Sequence, residues 1–160
     1  MKKAAILMVF VLLLSLGGTV WLYLTSGVSV ESVQAIATEA ATQLPTFESL
    51  QRLQKESALT GTVFSQEPIG AAEDYQFLTY TVRLKNSSFL TADMVEVQVT
   101  PMSQDVLQLW DETAHALRGR SSGNISATIL TTADSHAIRE LSVTYYMLGV
   151  PFSIRTTYTH

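Results

Sequence analysis

The stretch YQFLTYTVRLK, residues 75–85, decides the fold. Leu78, Tyr80, Val82 and Leu84 recur at every second position, so an extended chain lines them up on one face and sends Thr79, Thr81 and Arg83 to the other. A helix would scatter the same four around its circumference. Asn86, Ser87 and Ser88 supply a polar turn, and Val95, Val97 and Val99 then alternate with Glu96 and Gln98 until Pro101 closes the strand.

The pattern continues toward the C-terminus. Residues 106–110 predict a shorter edge strand, whereas residues 111–123 lose the alternation and predict a loop or one helical turn, capped by Asp111 and stopped near Gly119. Three strands follow, marked by Ile125, Ala127 and Ile129, by Leu141, Val143, Tyr145 and Met147, and by Phe152, Ile154 and Tyr158. Gly149 with Val150 is the expected hairpin turn between the last two. Upstream, Leu59, Gly61 and Val63 predict a first strand, and Pro68 and Gly70 punctuate the turn after it. About seven short strands separated by polar turns predict an immunoglobulin-like antiparallel β-sandwich, with a partly open barrel as the second architecture.

Farther upstream the period reads as helical. Val33, Ile36, Ala37, Ala40, Ala41 and Leu44 fit one helix stripe, with Glu31 and Glu39 off it. Pro45 should end that helix, and Thr46 should cap a second one with Phe47, Leu50 and Leu53 as its apolar face. The stripe either braces the domain or pairs with a partner helix, which makes Val33, Ile36, Ala40 and Leu44 a candidate stalk interface. Residues 4–24 carry no charge and follow Lys2 and Lys3. As a helix they would reach about 31 Å, the thickness of a bilayer's hydrocarbon core. The run exceeds the usual 7–15 residue signal core, so a retained anchor is favoured over a cleaved signal, although Thr25 with Gly27, or Ala35 with Ala37, offers small residues for cleavage. The two lysines predict a cytoplasmic N-terminus and an extracytoplasmic remainder. The expected division is an anchor at 1–27, a helical stalk at 28–56 and a β-sandwich at 57–160.

Beyond the anchor, 8 basic residues stand against 14 acidic ones, a formal charge of −6 that argues against a nucleic-acid surface. With no cysteine, disulfides and thiolate chemistry are excluded, and an exported chain of this kind points to a bacterial envelope.

The run of residues 80–88 followed by Val95, Val97 and Val99 resembles the strand, polar turn and strand that open many extracytoplasmic immunoglobulin-like domains. Residues 117–129 repeat the arrangement. Across residues 57–158 the pattern is similar to bacterial FxLYD-type modules and to the sandwich domains of type 2 late-embryogenesis-abundant proteins, without the FxLYD signature itself. The resemblance implies an accessory envelope module, transfers no functional residue and implies no reaction.

Chemistry-bearing motifs are sparse. His115, His136 and His160 lack zinc spacing, and Asp111 with Glu112 lacks a calcium-loop pattern. Asp134, Ser135 and His136 are triad residue types, but consecutive in sequence they read as a polar turn. No enzyme, cofactor or metal is expected. The candidate interaction surface comprises the aromatics Trp110 and Tyr146 and the basic Arg118 and Arg120 of the flexible patch at 118–123, whereas Tyr145 and Tyr158 read as core. The expected function is a single-pass, membrane-anchored, non-enzymatic interaction or assembly module whose partner is another envelope protein or a second copy. A pilin-like subunit assembling through its N-terminal helix, and a secreted domain binding a cell-wall polymer, are the alternatives.

Overall fold

The structure, a computed structural model, describes residues 2–25, 27–109, 111 and 113–159. Helix α1, Lys2–Thr25, contains a span, Lys3–Trp21, long and apolar enough to cross a membrane, and none of that span is buried against the rest of the chain. Strand β1, Val28–Glu39, follows at once and pairs antiparallel with β3, Tyr75–Asn86.

Strand β1 corrects the stalk expected at 28–56. Val28 lies opposite Asn86 and Val30 opposite Leu84, but Ser32 already faces Arg83, so Glu31 is an extra residue in the ladder. The bulge moves the inward positions from Val28 and Val30 to Val33 and Ala35. That change of parity destroys the two-residue period and lets a helical template fit the same apolar residues. The sandwich therefore begins at Val28.

A short turn of helix, Ala40–Gln43, leads into α2, Leu44–Lys55, which buries Phe47 and Leu50. Pro45 lies in its first turn instead of ending a preceding helix, and no side chain caps it. The remaining strands are β2 (Gly61–Val63), β4 (Ala92–Val99), β5 (Asp105–Leu109), β6 (His115–Leu117), β7 (Ser121–Thr132), β8 (Arg139–Met147) and β9 (Val150–Tyr158). They form two antiparallel sheets, ordered β1-β3-β7-β5-β2 and β6-β4-β8-β9. Strand β5 is thus flanked on both sides and is not an edge, and the segment expected to be loop or helix contains β6. The last hairpin turns one residue early: Met147 pairs with Val150, and Leu148 and Gly149 carry φ of 50° and 78°. Both central residues are left-handed, as a type I′ turn requires.

Inward residues of both sheets interdigitate in one core, Leu78, Tyr80, Val82 and Leu84 meeting Val95, Val97, Leu141 and Val143. A second cluster places Phe47, Leu50 and Ala40 over Phe77, Leu107 and Leu130, so α2 packs on the outer face of the five-stranded sheet, near one end of the sandwich. We call this the distal end, because α1 leaves from the other.

At the distal end a buried ion pair ties the sheets together. Arg139 of β8 donates from Nε and Nη2 to Asp105 of β5 at 3.1 and 2.8 Å, and both side chains are fully buried. Its other donors reach Ser135 Oγ and the carbonyls of His136 and Ile138, while Asp105 also accepts the Met102 N–H at 2.7 Å. Burial opposes ionisation of Asp105, but the Arg139 hydrogen bonds and the Met102 N–H outweigh it and hold the carboxyl below its ordinary range. A depressed carboxylate pKa contributes stability above the unfolded value and loses it as pH falls through the folded one. Acid titration should therefore unfold the sandwich below about pH 4 in wild type. Arg139→Met or Asp105→Leu alone should cost about 3–5 kcal/mol in urea unfolding, and the double substitution should restore most of that loss.

Candidate functional site

Strand β6 pairs with β4 only at Ala92 and Val95, so farther along β4 its outer backbone groups lack a strand partner. Gln108 of β5 takes that place: its Nε2 donates to the Val97 carbonyl at 2.8 Å and its Oε1 accepts the Val99 N–H at 2.8 Å. One buried amide thereby serves as a one-residue strand and joins the two sheets. Neither a leucine nor a carboxylate at position 108 satisfies both groups.

Beside this staple the sheets part into a cleft of about 610 Å³. Such a volume lies within the range of about 300–1,000 Å³ typical of small-ligand or side-chain-docking sites. Its apolar lining is Val95, Val97, Ile125, Ala127, Tyr145 and Phe152, the last two with stacked rings 5.5 Å apart. Met94 and Tyr146 stand exposed at its rim. Met94 has φ 50°, where the bulge between Asp93 and Glu96 re-aims the strand.

The connection from β5 to β6 contributes Asp111, Thr113 and His115 to the lining. His115 Nε2 lies 2.6 Å from Asp111 Oδ2, and the Thr113 N–H donates to Asp111 Oδ1 at 2.9 Å. The His115 hydrogen bond, followed by that of Thr113, holds the Asp111 carboxyl below its usual range. The pair closes the connection on itself and leaves a polar lip beside an apolar cavity.

Among the residues expected at a functional surface, Tyr146 lines the cleft. Trp110 lies outside the described residues. Arg118 and Arg120 are exposed at the turn between β6 and β7, away from the cleft, and residues 121–123 of the expected flexible patch belong to β7. Val33, Ile36, Ala40 and Leu44 do not form one stripe. Val33 packs on the main core and Ala40 is buried under α2, while Ile36 and Leu44 face outward. Asp134, Ser135 and His136 serve turn chemistry: the Thr132 hydroxyl bonds Asp134, and Ser135 and His136 accept from Arg139. Tyr145 is buried, and Tyr158 meets the ring of Tyr80 edge-on. Among the described residues no three His, Asp or Glu side chains gather as a metal site.

Sequence reasoning missed Asp105, Gln108, Arg139 and Met94. Arg139 carried a usable signal, because it shares the parity of Leu141, Val143, Tyr145 and Met147 and therefore had to point inward. An inward arginine demands a buried acid.

No family model matches the chain, and no curated protein matches it. Among solved structures it is similar to the crystal structure of the cupredoxin domain of amoB from Nitrosocaldus yellowstonii, at 12% identity and a TM-score of 0.36, over 82% of this chain and 84% of that one. The likeness is one of general β-sandwich kind.

Two substitutions probe the cleft. Gln108→Leu strands the Val97 carbonyl and the Val99 N–H, and should cost about 1–3 kcal/mol with faster hydrogen exchange at Val99. His115→Ala should return the Asp111 carboxyl toward its ordinary pKa, read by carboxyl-carbon NMR across an acid titration.

Proposed function

We propose that the chain is a single-pass membrane protein presenting an extracytoplasmic β-sandwich as a non-enzymatic interaction or assembly module. The observation that carries this reading is the Lys3–Trp21 span, none of which is buried inside the fold. Such a helix needs apolar surroundings outside the protein, and leucine, isoleucine, valine and phenylalanine each favour insertion by about 0.3–0.6 kcal/mol at mid-bilayer. Lys2 and Lys3 favour a cytoplasmic N-terminus.

The polar groups buried in the sandwich are engaged in holding it together, Arg139 with Asp105 and Gln108 with β4, which fits a scaffold. The cleft, with Met94 and Tyr146 at its rim, is the surface we assign to a protein partner: a concave apolar site with a few polar groups suits a docked side chain. The pattern resemblance to FxLYD-type and type 2 late-embryogenesis-abundant modules agrees with an accessory envelope role. The pilin-like alternative depends on one long helix running to residue 44, and α1 stops at Thr25 before strand β1.

The test uses the full chain in intact cells, with a photoreactive residue at position 146 and a control on α2 at Glu48. A discrete protein adduct is expected at 146, absent at 48 and lost in Met94→Asp, a substitution the left-handed backbone at 94 tolerates. External protease should remove the sandwich and spare α1. Adducts that are equal at 146 and 48, or a sandwich protected inside the cell, would refute the reading.

A further inference from the structure

The end of the sandwich from which α1 departs differs in character from the distal end. Four pieces of chain meet there. The Ser87 N–H donates to the Gly27 carbonyl at 2.8 Å, and the Arg120 N–H donates to the Ser88 carbonyl at 2.8 Å. Ala92 pairs with Leu117, and Asp93 with Tyr146, so the tip of the last hairpin, Leu148 and Gly149, lies at the same level as residues 87–91.

Two large apolar side chains project from this end. Phe89 is 63% exposed and Leu148 is 70% exposed. Their exposure is built in. A Cβ on Gly119 would come within 2.5 Å of the Phe89 carbonyl carbon and oxygen, so the residue that supports Phe89 must be glycine. Leu148 occupies φ 50°, a region that type I′ turns fill with asparagine or glycine and that is strained for a bulky side chain. An apolar residue held exposed in a strained turn points to a contact made outside the chain. The Phe89 ring also lies 5.8 Å from Trp21 in the last two turns of α1.

Charge follows the same division. Lys85, Arg118 and Arg120 belong to the α1 end, where Glu31 pairs with Arg83 and approaches Lys85, with Asp93 in β4 and Asp111 beside His115 as nearby acids. The distal end carries Glu39, Glu73, Asp74, Asp134 and Glu140. Lys85 and Arg120, with Ser87, Ser121 and Ser122, surround a depression of about 300 Å³, a set of cations and hydroxyls suited to a phosphate.

We propose that the α1 end of the sandwich lies flat on the bilayer that α1 spans, with Phe89 and Leu148 at the boundary of headgroups and acyl chains and with Arg118, Arg120 and Lys85 on the phosphates of anionic lipid. Trp21 lies near the end of α1, where a tryptophan suits the interface, and Phe89 touches it. Apolar wedges ringed by cations bind such surfaces through buried area plus attraction to anionic lipid. Part of the domain's net acidity, Glu39, Glu73, Asp74, Asp134 and Glu140, lies at the far end, where it does not oppose this. The inference rests on α1 being retained as a span.

The absence of cysteine makes the test direct. The full chain, carrying one cysteine at 148, 89 or, as distal control, 134, is labelled with an environment-sensitive dye. It is then reconstituted into phosphatidylcholine vesicles with or without phosphatidylglycerol. Blue-shifted emission and quenching by nitroxide lipid are expected at 148 and 89 and not at 134. Phosphatidylglycerol should strengthen both signals, and Arg118→Glu with Arg120→Glu should abolish that strengthening. Water-like emission at 148 and 89, in a chain that resists alkaline carbonate extraction, would overturn the inference and leave the anchor reading intact. Release of the full chain by carbonate would overturn both.

Discussion

The contact between Asp105 and Arg139 joins the two sheets through side chains where no backbone ladder connects them. Asp105 opens β5 in the five-stranded sheet and Arg139 opens β8 in the four-stranded one, and each side chain is fully buried. Burying two charges is costly, and mutual attraction compensates only when the remaining donors are also satisfied. Here they are. Nε and both terminal nitrogens of Arg139 have acceptors, three of them supplied by residues 135–138 just ahead of β8. The pair therefore fixes more than a distance. It fixes the path of the chain from β7 to β8, and with it the register in which Leu141, Val143 and Tyr145 meet the opposite sheet.

Gln108 repeats the principle with a neutral group at the level of Val97 and Val99. Three residues separate it from Asp105, and the ladder shifts between Asp105 and Leu107, so β5 turns both polar side chains toward the other sheet while Leu107 packs under α2. A short strand buried at consecutive positions can do this only because the shift breaks strict alternation. Among the described residues beyond Gln108 no further polar staple crosses to β4, and the sheets diverge into the cleft. The cavity is thus a consequence of where the cross-sheet bonds stop.

The same reasoning explains what the sequence disclosed and what it hid. Strands β3, β4, β7, β8 and β9 were legible because their inward residues keep one parity over their cores, as Leu78 to Leu84 and Val95 to Val99 do. Helix α2 was legible from Phe47, Leu50 and Leu53. Strand β1 was hidden by one extra residue, Glu31, and β6 by its brevity, since three residues cannot display a period. The cleft was hidden for a different reason. Its walls are ordinary core residues, and its polar members, among them Gln98, Gln108, Asp111, His115, Ser126 and Thr144, are scattered along the sequence. Only the parity of Arg139 announced that something charged lay inside.

A β-sandwich has two open ends, and each exposes the edges of its core unless something covers them. The distal end is crossed by the Arg139–Asp105 pair and the turn that precedes β8, with α2 nearby on the outer face of the five-stranded sheet, Phe47 and Leu50 over Leu107 and Leu130. Among the described residues the α1 end has short turns, and those turns carry Phe89 and Leu148 outward where polar residues would serve a water-facing tip better. The asymmetry has a simple physical origin if the covering layer is external. An end that abuts a bilayer needs no helix of its own, and the acidic residues that keep the distal end soluble would be repelled by anionic headgroups. The helix, the apolar tips and the separation of charge are then one arrangement.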